Sequence, residues 1–227
     1  MIRDFIHLLF PKICASCNQA LEKNEVCFCT NCRGNMPTTR DYTTIQNEAK
    51  KVFYGRIPIE KASALLYYEK GGIVQNLLHD LKYRGNQEVG EVLGNWHGKL
   101  LAENGWKNQF DWVVPVPIHK KRLRERGYNQ VDKYAEALAR HLDAECVKDV
   151  LLRNQKSRTQ VFKNRIARTK VANKDFYLTE QKKNSSPKQI LLADDIITTG
   201  ATMEACSSEL LKLKDVKISI ASMALVK

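Results

Sequence analysis

Residues 190–202 read I-L-L-A-D-D-I-I-T-T-G-A-T. Four apolar residues, Ile190, Leu191, Leu192 and Ala193, run into two adjacent carboxylates, Asp194 and Asp195. Ile196 and Ile197 follow, then a small polar loop, then Met203, Cys206, Leu210 and Leu213 at helical spacing. A short apolar run that leads into a helix is the pattern of a strand buried on both faces of a parallel sheet. Ligands of such sheets gather at the carboxyl ends of the strands, where Asp194 and Asp195 fall. The loop Thr198, Thr199, Gly200, Ala201 and Thr202 offers backbone N–H groups, three hydroxyls and a Gly that allows a tight turn. It opens onto a helix N-terminus, which favours an anion. The carboxylates would repel that anion; they suit sugar hydroxyls or a divalent cation. Strand, acid pair and loop together ask for a sugar phosphate. Either half alone reads more simply as a strand end or a helix cap.

The chain upstream repeats the alternation. Residues 62–68, A-S-A-L-L-Y-Y, read as a strand, and Ile73, Val74, Leu77, Leu78 and Leu81 as one helix face. Lys82-Tyr83-Arg84-Gly85 ends that helix; Lys82 is either an ordinary C-terminal cation or a functional one. Val89, Val92, Leu93, Trp96 and Leu100 make a second helix face. A strand at residues 110–114 runs into Pro115, Val116 and Pro117, followed by Lys120, Lys121, Arg122, Arg124 and Arg126 against one acid, Glu125. Such a run is commonly a solvated face. Here it follows a strand end on the same side of the sheet as Asp194, which makes a second anion site suited to a pyrophosphate. Asn129 is also a natural N-cap for the helix marked by Val131, Tyr134, Ala135, Leu138 and Leu142. Strands at residues 145–152 and 216–226 complete a doubly wound α/β fold with a largely parallel sheet.

Ahead of this lies a different chemistry. Cys14-x2-Cys17 and Cys29-x2-Cys32 form two knuckles separated by eleven residues. The spacing lets four thiolates converge on one tetrahedral zinc, a closed structural site with no open catalytic position. Cys27, two residues before Cys29, is an alternative ligand. Residues 35–57 show no period and read as a connector with one helical turn. The chain thus divides into residues 1–57, a short amphipathic helix (Ile2, Phe5, Ile6, Leu9), zinc ribbon and connector, and residues 58–227, the sheet domain.

The formal net charge of +12 over 227 residues favours polyanionic partners, either phosphate-rich small molecules or nucleic acid. No segment is apolar and long enough for a membrane span, and the first residues are too short and polar for a signal peptide. The cytoplasm is the default location. Residues 153–174 carry eight cations and no acid. Within them Arg158, Thr159, Gln160, Arg165 and Arg168 suit either a lid over a phosphorylated ligand or an arm that tracks single-stranded DNA.

The string at 190–202 resembles the 5-phosphoribosyl 1-pyrophosphate (PRPP) signature of type I phosphoribosyltransferases. The double C-x-x-C start, V-P-V-P at 114–117 with R-x-x-x-R-G-Y-N-Q from Arg122 to Gln130, L-K-Y-R-G at 81–85 and Thr159-Gln160 with Arg165 further resemble the ComF family. These are bacterial proteins with a zinc ribbon and a phosphoribosyltransferase-like domain, linked to DNA uptake in natural transformation. The resemblance covers nearly the whole chain. It implies PRPP binding with Mg2+. Asp194 and Asp195 would hold the ribose hydroxyls, and the loop 198–202 the 5-phosphate. Val116, Pro117, Lys120, Arg122, Arg126 and Lys82 would line the pyrophosphate side. The activity implied is phosphoribosyl transfer to an unidentified acceptor with release of pyrophosphate. The alternative is a non-catalytic PRPP sensor and single-stranded-DNA-binding accessory, working beside a competence helicase or other DNA-processing proteins.

Overall fold

The computed structural model describes residues 11–44, 46–154 and 175–227. Four cysteines gather the first described residues into a loop-built module that ends in a one-turn helix, α1 (Thr30–Gly34). The connector then lies along the sheet. Thr38 bridges Leu66, the Thr39 N–H donates to the Leu65 carbonyl at 3.1 Å, and the Tyr67 N–H donates to the Pro37 carbonyl at 2.7 Å. A second one-turn helix, α2 (Glu48–Lys51), begins at Asn47, whose side chain accepts from the Lys50 N–H.

The remaining elements follow in the order β1 (Ala62–Tyr68), α3 (Ile73–Tyr83), α4 (Glu88–Leu101), β2 (Trp112–Pro115), α5 (Lys120–Arg126), α6 (Asp132–Leu142), β3 (Glu145–Cys146), β4 (Leu151–Arg153), β5 (Phe176–Leu178), β6 (Gln189–Ile197), α7 (Ala201–Leu210) and β7 (Lys217–Val226). Five strands form one sheet in the order β1-β7-β6-β2-β3, and each neighbouring pair is parallel. The parallel α/β fold expected from the alternation is therefore present, with β6 at its centre. Side chains of β6 alternate between two cores, as a strand's period of two requires. Leu191 and Ala193 join α3, α4 and α6 on one face; Ile190 and Leu192 join α7 on the other. Helices on both faces explain why residues 190–193 of β6 are apolar without interruption.

The expected strand at 145–152 is not continuous. Its first two residues extend the sheet beside β2, and β4 leaves to pair antiparallel with β5 in a separate two-stranded sheet. Val147 and Val150, both buried, make the corner between them. β5 is three residues long, too short to carry a period of its own.

On the α4 side, glycines set how closely helices approach. Gly90, Gly94 and Gly98 recur every four residues on one face of α4. A Cβ at Gly94 would lie 2.7 Å from the Ala137 Cβ and 2.8 Å from the Tyr134 carbonyl oxygen on α6. His97, between them, is fully buried. It meets Ser63 Oγ at 2.8 Å through Nε2 and Tyr134 OH at 2.6 Å through Nδ1. Burial lowers its pKa to about 3, so the imidazole is neutral. Among the described residues no helix is long and apolar enough to cross a membrane.

Candidate functional site

The cysteine cluster fits a metal. The sulfurs of Cys14, Cys17, Cys29 and Cys32 all lie within 4.8 Å of one another, and Cys17 Sγ is 3.7 Å from Cys29 Sγ. A tetrahedral zinc with sulfurs at about 2.3 Å needs S···S distances of about 3.8 Å. Backbone amides already point at the sulfurs: the Cys29 N–H donates to Cys14 Sγ and the Cys32 N–H to Cys29 Sγ, both at 3.4 Å. Burial pushes the Cys14 thiol up, but the amides of Cys17, Cys29 and Ser16 outweigh it and bring the pKa down to about 7. Burial, and then the neighbouring sulfurs, push Cys32 up to about 12. Four thiolates this close need a cation between them. Cys27, the alternative ligand, lies outside the cluster. It is 3% exposed within the apolar core, where burial pushes its thiol up to about 12.

The second site sits where β2 and β6 end side by side, with Pro115 opposite Ala193. A cavity of about 250 Å³ opens there, lined by Asp194, Asp195, Thr198 and Thr202 from the β6–α7 junction and by Val116, Pro117, Arg122 and Arg126 from the β2–α5 junction. Lys82, at the end of α3, completes this wall. The parallel arrangement explains the convergence of residues so far apart in sequence: it puts both βα junctions at the same edge of the sheet. The remaining loop residues, Thr199, Gly200 and Ala201, lie between Thr198 and Thr202, and Gly200 takes a left-handed φ of +74°. Lys120 is the first residue of α5, exposed and outside the cavity lining. Arg158, Thr159, Gln160, Arg165 and Arg168 lie outside the described residues, as does the expected N-terminal amphipathic face at residues 2–9.

Electrostatics distinguish the two carboxylates. Asp195, 4% exposed, pairs with Lys82 Nζ at 3.1 Å and accepts from Gln130 Nε2 at 2.8 Å. Asp194, 7% exposed, accepts the Asp195 N–H at 2.8 Å. Burial first, then the charge of Asp195, raise the Asp194 pKa to about 8; the Asp195 amide, Lys82 and Arg153 oppose the shift. A carboxyl so placed holds a proton near neutral pH.

Several supporting residues carry no role in the sequence reading. Gln130 holds Asp195 and is itself held by Arg126 Nη1 at 2.7 Å. It stands in the R-x-x-x-R-G-Y-N-Q string, but a Gln at the start of a helix looks like any solvated residue. Tyr83 and Arg153 line the cavity. The Arg126 guanidinium lies 5.3 Å from the Tyr83 ring centre, a cation–π contact that turns both toward the opening. An adjoining cavity of about 280 Å³ shares Lys82, Tyr83, Arg122 and Arg126.

Known proteins bear on this geometry. The chain is 31% identical to competence protein F of Haemophilus influenzae over 112 residues, which is 49% of each chain. It is 25% identical to competence protein ComFC of Bacillus subtilis across 98% of this chain and 88% of that one. It is 26% identical to the DNA utilization protein YhgH of Escherichia coli over 60% of each. The chain thus spans about half the Haemophilus relative and most of the Bacillus one. No family model matches. Among solved structures, Leishmania donovani UMP synthase aligns with a TM-score of 0.29 at 11% identity, over 74% of this chain and 26% of that one. A clustered four-cysteine module, a parallel sheet with an acidic pair toward the end of its central strand, and a match to ComFC along almost the entire chain make this protein similar to the ComF competence proteins.

Proposed function

We propose that the cavity at the β2 and β6 strand ends binds PRPP, and that the protein uses it in the handling of DNA taken up by the cell. One observation carries the reading. A buried acidic pair, two threonines of a loop at a helix N-terminus and four cations line a single cavity. A neutral sugar leaves the cations unused, and a simple polyphosphate leaves the carboxylates repelling it. A ribose that carries phosphate at one end and pyrophosphate at the other uses all three. In this reading Asp194 and Asp195 accept hydrogen bonds from the ribose hydroxyls, the amides of 199–202 receive the 5-phosphate, and Arg122, Arg126 and Lys82 face the pyrophosphate.

Mg2+ would accompany the ligand. Asp195 is already committed to Lys82 and Gln130, so the phosphate oxygens would be the main ligands, with Asp194 the carboxylate free to approach. Bound there, the ion would offset negative charge on the departing pyrophosphate. In the transfer reaction a nitrogen nucleophile forms a bond to ribose C1 and loses a proton to solvent. The C1–O bond breaks, and its electron pair leaves with the pyrophosphate. The carboxylates would steady the electron-poor ribose, and the arginines would take up the leaving charge. The names of the relatives, competence proteins and a DNA utilization protein, support a role beside DNA and the proteins that process it.

Thermal unfolding provides the test. A ligand at a hundred times its dissociation constant adds about 2.7 kcal/mol to stability. PRPP with Mg2+ should raise the midpoint more than ribose 5-phosphate or pyrophosphate with Mg2+ at the same concentration, because it engages both junctions at once. A shift with PRPP no larger than that with pyrophosphate would remove the ribose and 5-phosphate assignments.

A further inference from the structure

We propose that Arg56 is a positioning residue for the 198–202 loop, which makes the connector from the cysteine module a working part of the ligand site; this deepens the PRPP reading and rests on it. The guanidinium of Arg56 donates to the Thr199 carbonyl and pairs with Glu204 in the first turn of α7, while Nη1 also reaches the Val52 carbonyl at 3.2 Å. The two contacts to the loop and helix cross 143 and 148 residues of sequence. They tie the end of the connector to the turn that opens α7.

The geometry of the peptide unit explains what such a tie achieves. In a trans peptide the C=O and the following N–H point in opposite directions. A guanidinium that holds the Thr199 carbonyl toward the connector therefore holds the Gly200 N–H away from it. A phosphate-binding loop works by presenting amides in fixed directions, so this contact presets one of them. Packing reinforces it. Gly200 has φ of +74°, and a Cβ there would lie 2.8 Å from both Phe53 Cε1 and Val52 Cγ1. The connector thus presses directly on the turn. Phe53 is 1% exposed, and the segment beneath is anchored, with Asn47 Nδ2 donating to the carbonyls of Asp41 at 2.9 Å and Ala62 at 2.8 Å. Lys50 Nζ donates to the Glu60 carbonyl at 2.7 Å.

Charge makes the placement more telling. A cation beside a helix N-terminus opposes the macrodipole. Arg56 is placed there at that cost, offset by Glu204, and it strengthens the positive field where an anion would dock. Residues 35–57 carry no periodic signal that would single Arg56 out.

The test uses the full chain with Arg56→Met, which keeps the aliphatic stem, and Arg56→Lys, which keeps the charge but not the fork. Amide hydrogen exchange at residues 199–202 of the ligand-free protein reads the tie itself, and calorimetry with PRPP, ribose 5-phosphate and pyrophosphate reads its use. Arg56→Met should speed exchange across 199–202 and weaken PRPP and ribose 5-phosphate about tenfold, the scale of one charge-assisted hydrogen bond. Pyrophosphate alone should bind it as it binds the wild type, and Arg56→Lys should recover part of the loss. Unchanged PRPP affinity in Arg56→Met, or an equal loss for pyrophosphate, would overturn the positioning role. Wild-type protein that fails to bind PRPP overturns the donor reading instead, and the exchange rates still decide whether Arg56 orders the loop.

Discussion

Asp194 shows how a buried carboxyl beside a second one taxes its own fold. Its pKa, raised to about 8 by burial and by Asp195, lies far above the ordinary value of about 3.9 for the unfolded chain. Between those values the folded state holds a proton that the unfolded state has released. The contribution to stability is therefore full below about pH 4 and is lost as pH rises through about 8. Asp194→Asn should remove that loss: its unfolding midpoint, measured from pH 6 to pH 9 without ligand, should fall less than that of the wild type. Parallel pH profiles would contradict the assignment. His97 works in the opposite sense. Its folded pKa of about 3 lies below the usual value near 6.5, so its contribution is present above pH 6.5 and fades as pH falls toward 3. The acid pair stood out in the sequence because it lies between an apolar run and a Thr-Thr-Gly loop that opens a helix; neither half would have singled it out alone. Gln130 and Arg56 were not. Their roles depend on which distant side chain or carbonyl they meet, and spacing along the chain does not encode that.

Elements were legible where they are long and periodic. Both faces of β6 are buried, so its apolar run marks it plainly, and the amphipathic faces of α3 and α6 fall at the residues their periodicity predicts, whereas α4 buries Gly90, Gly94, His97, Gly98 and Leu101 beside Val89 and Leu93 and leaves Val92, Trp96 and Leu100 half-buried. The three-residue β4 and β5 were not legible, because strands so short borrow their identity from a partner. The seven residues of α5 bury no side chain, and it reads as charge rather than as helix. Contact between α4 and α6 is set by small residues, which gives a graded prediction. Gly94→Ala places a methyl 2.8 Å from the Tyr134 carbonyl oxygen, where backbone cannot yield cheaply. It should destabilise by about 1–3 kcal/mol in urea unfolding. Gly90→Ala meets its nearest atom at 3.4 Å and gains up to about 1 kcal/mol of helix propensity, so it should be neutral or stabilising. Equal losses at the two positions would show that helix approach is not what these glycines serve.

At the scale of the molecule, the cysteine module and the ligand cavity share supports. Asn76 Nδ2 donates to the Ser16 carbonyl at 3.0 Å, and Arg84 Nη1 donates to Asn18 Oδ1 at 3.2 Å. Both join the Cys14–Cys17 knuckle to α3 and its end, which also carries Lys82 to Asp195. The connector continues from the same module to the loop before α7. The spacing of the cysteines foretold the cluster but not its attachment to α3, which rests on side chains at positions with no motif. Freshly purified protein should contain zinc bound by Cys14, Cys17, Cys29 and Cys32. Its removal by a chelator should lower the unfolding midpoint and weaken PRPP as well, since α3 loses its outer support. Metal analysis that finds no zinc would contradict the assignment of the cluster.

The central claim is that a ribose bearing a phosphate and a pyrophosphate is held by the acidic pair between the two βα junctions. Calorimetry with PRPP and Mg2+ tests it most directly, comparing the wild type with the Asp194→Asn, Asp195→Asn double variant after circular dichroism has shown both folded. Saturable binding to the wild type that the double variant loses by at least a hundredfold is the predicted result, the scale of about 2.7 kcal/mol for two hydrogen bonds from hydroxyls to charged groups. Binding of equal strength in both proteins would contradict it.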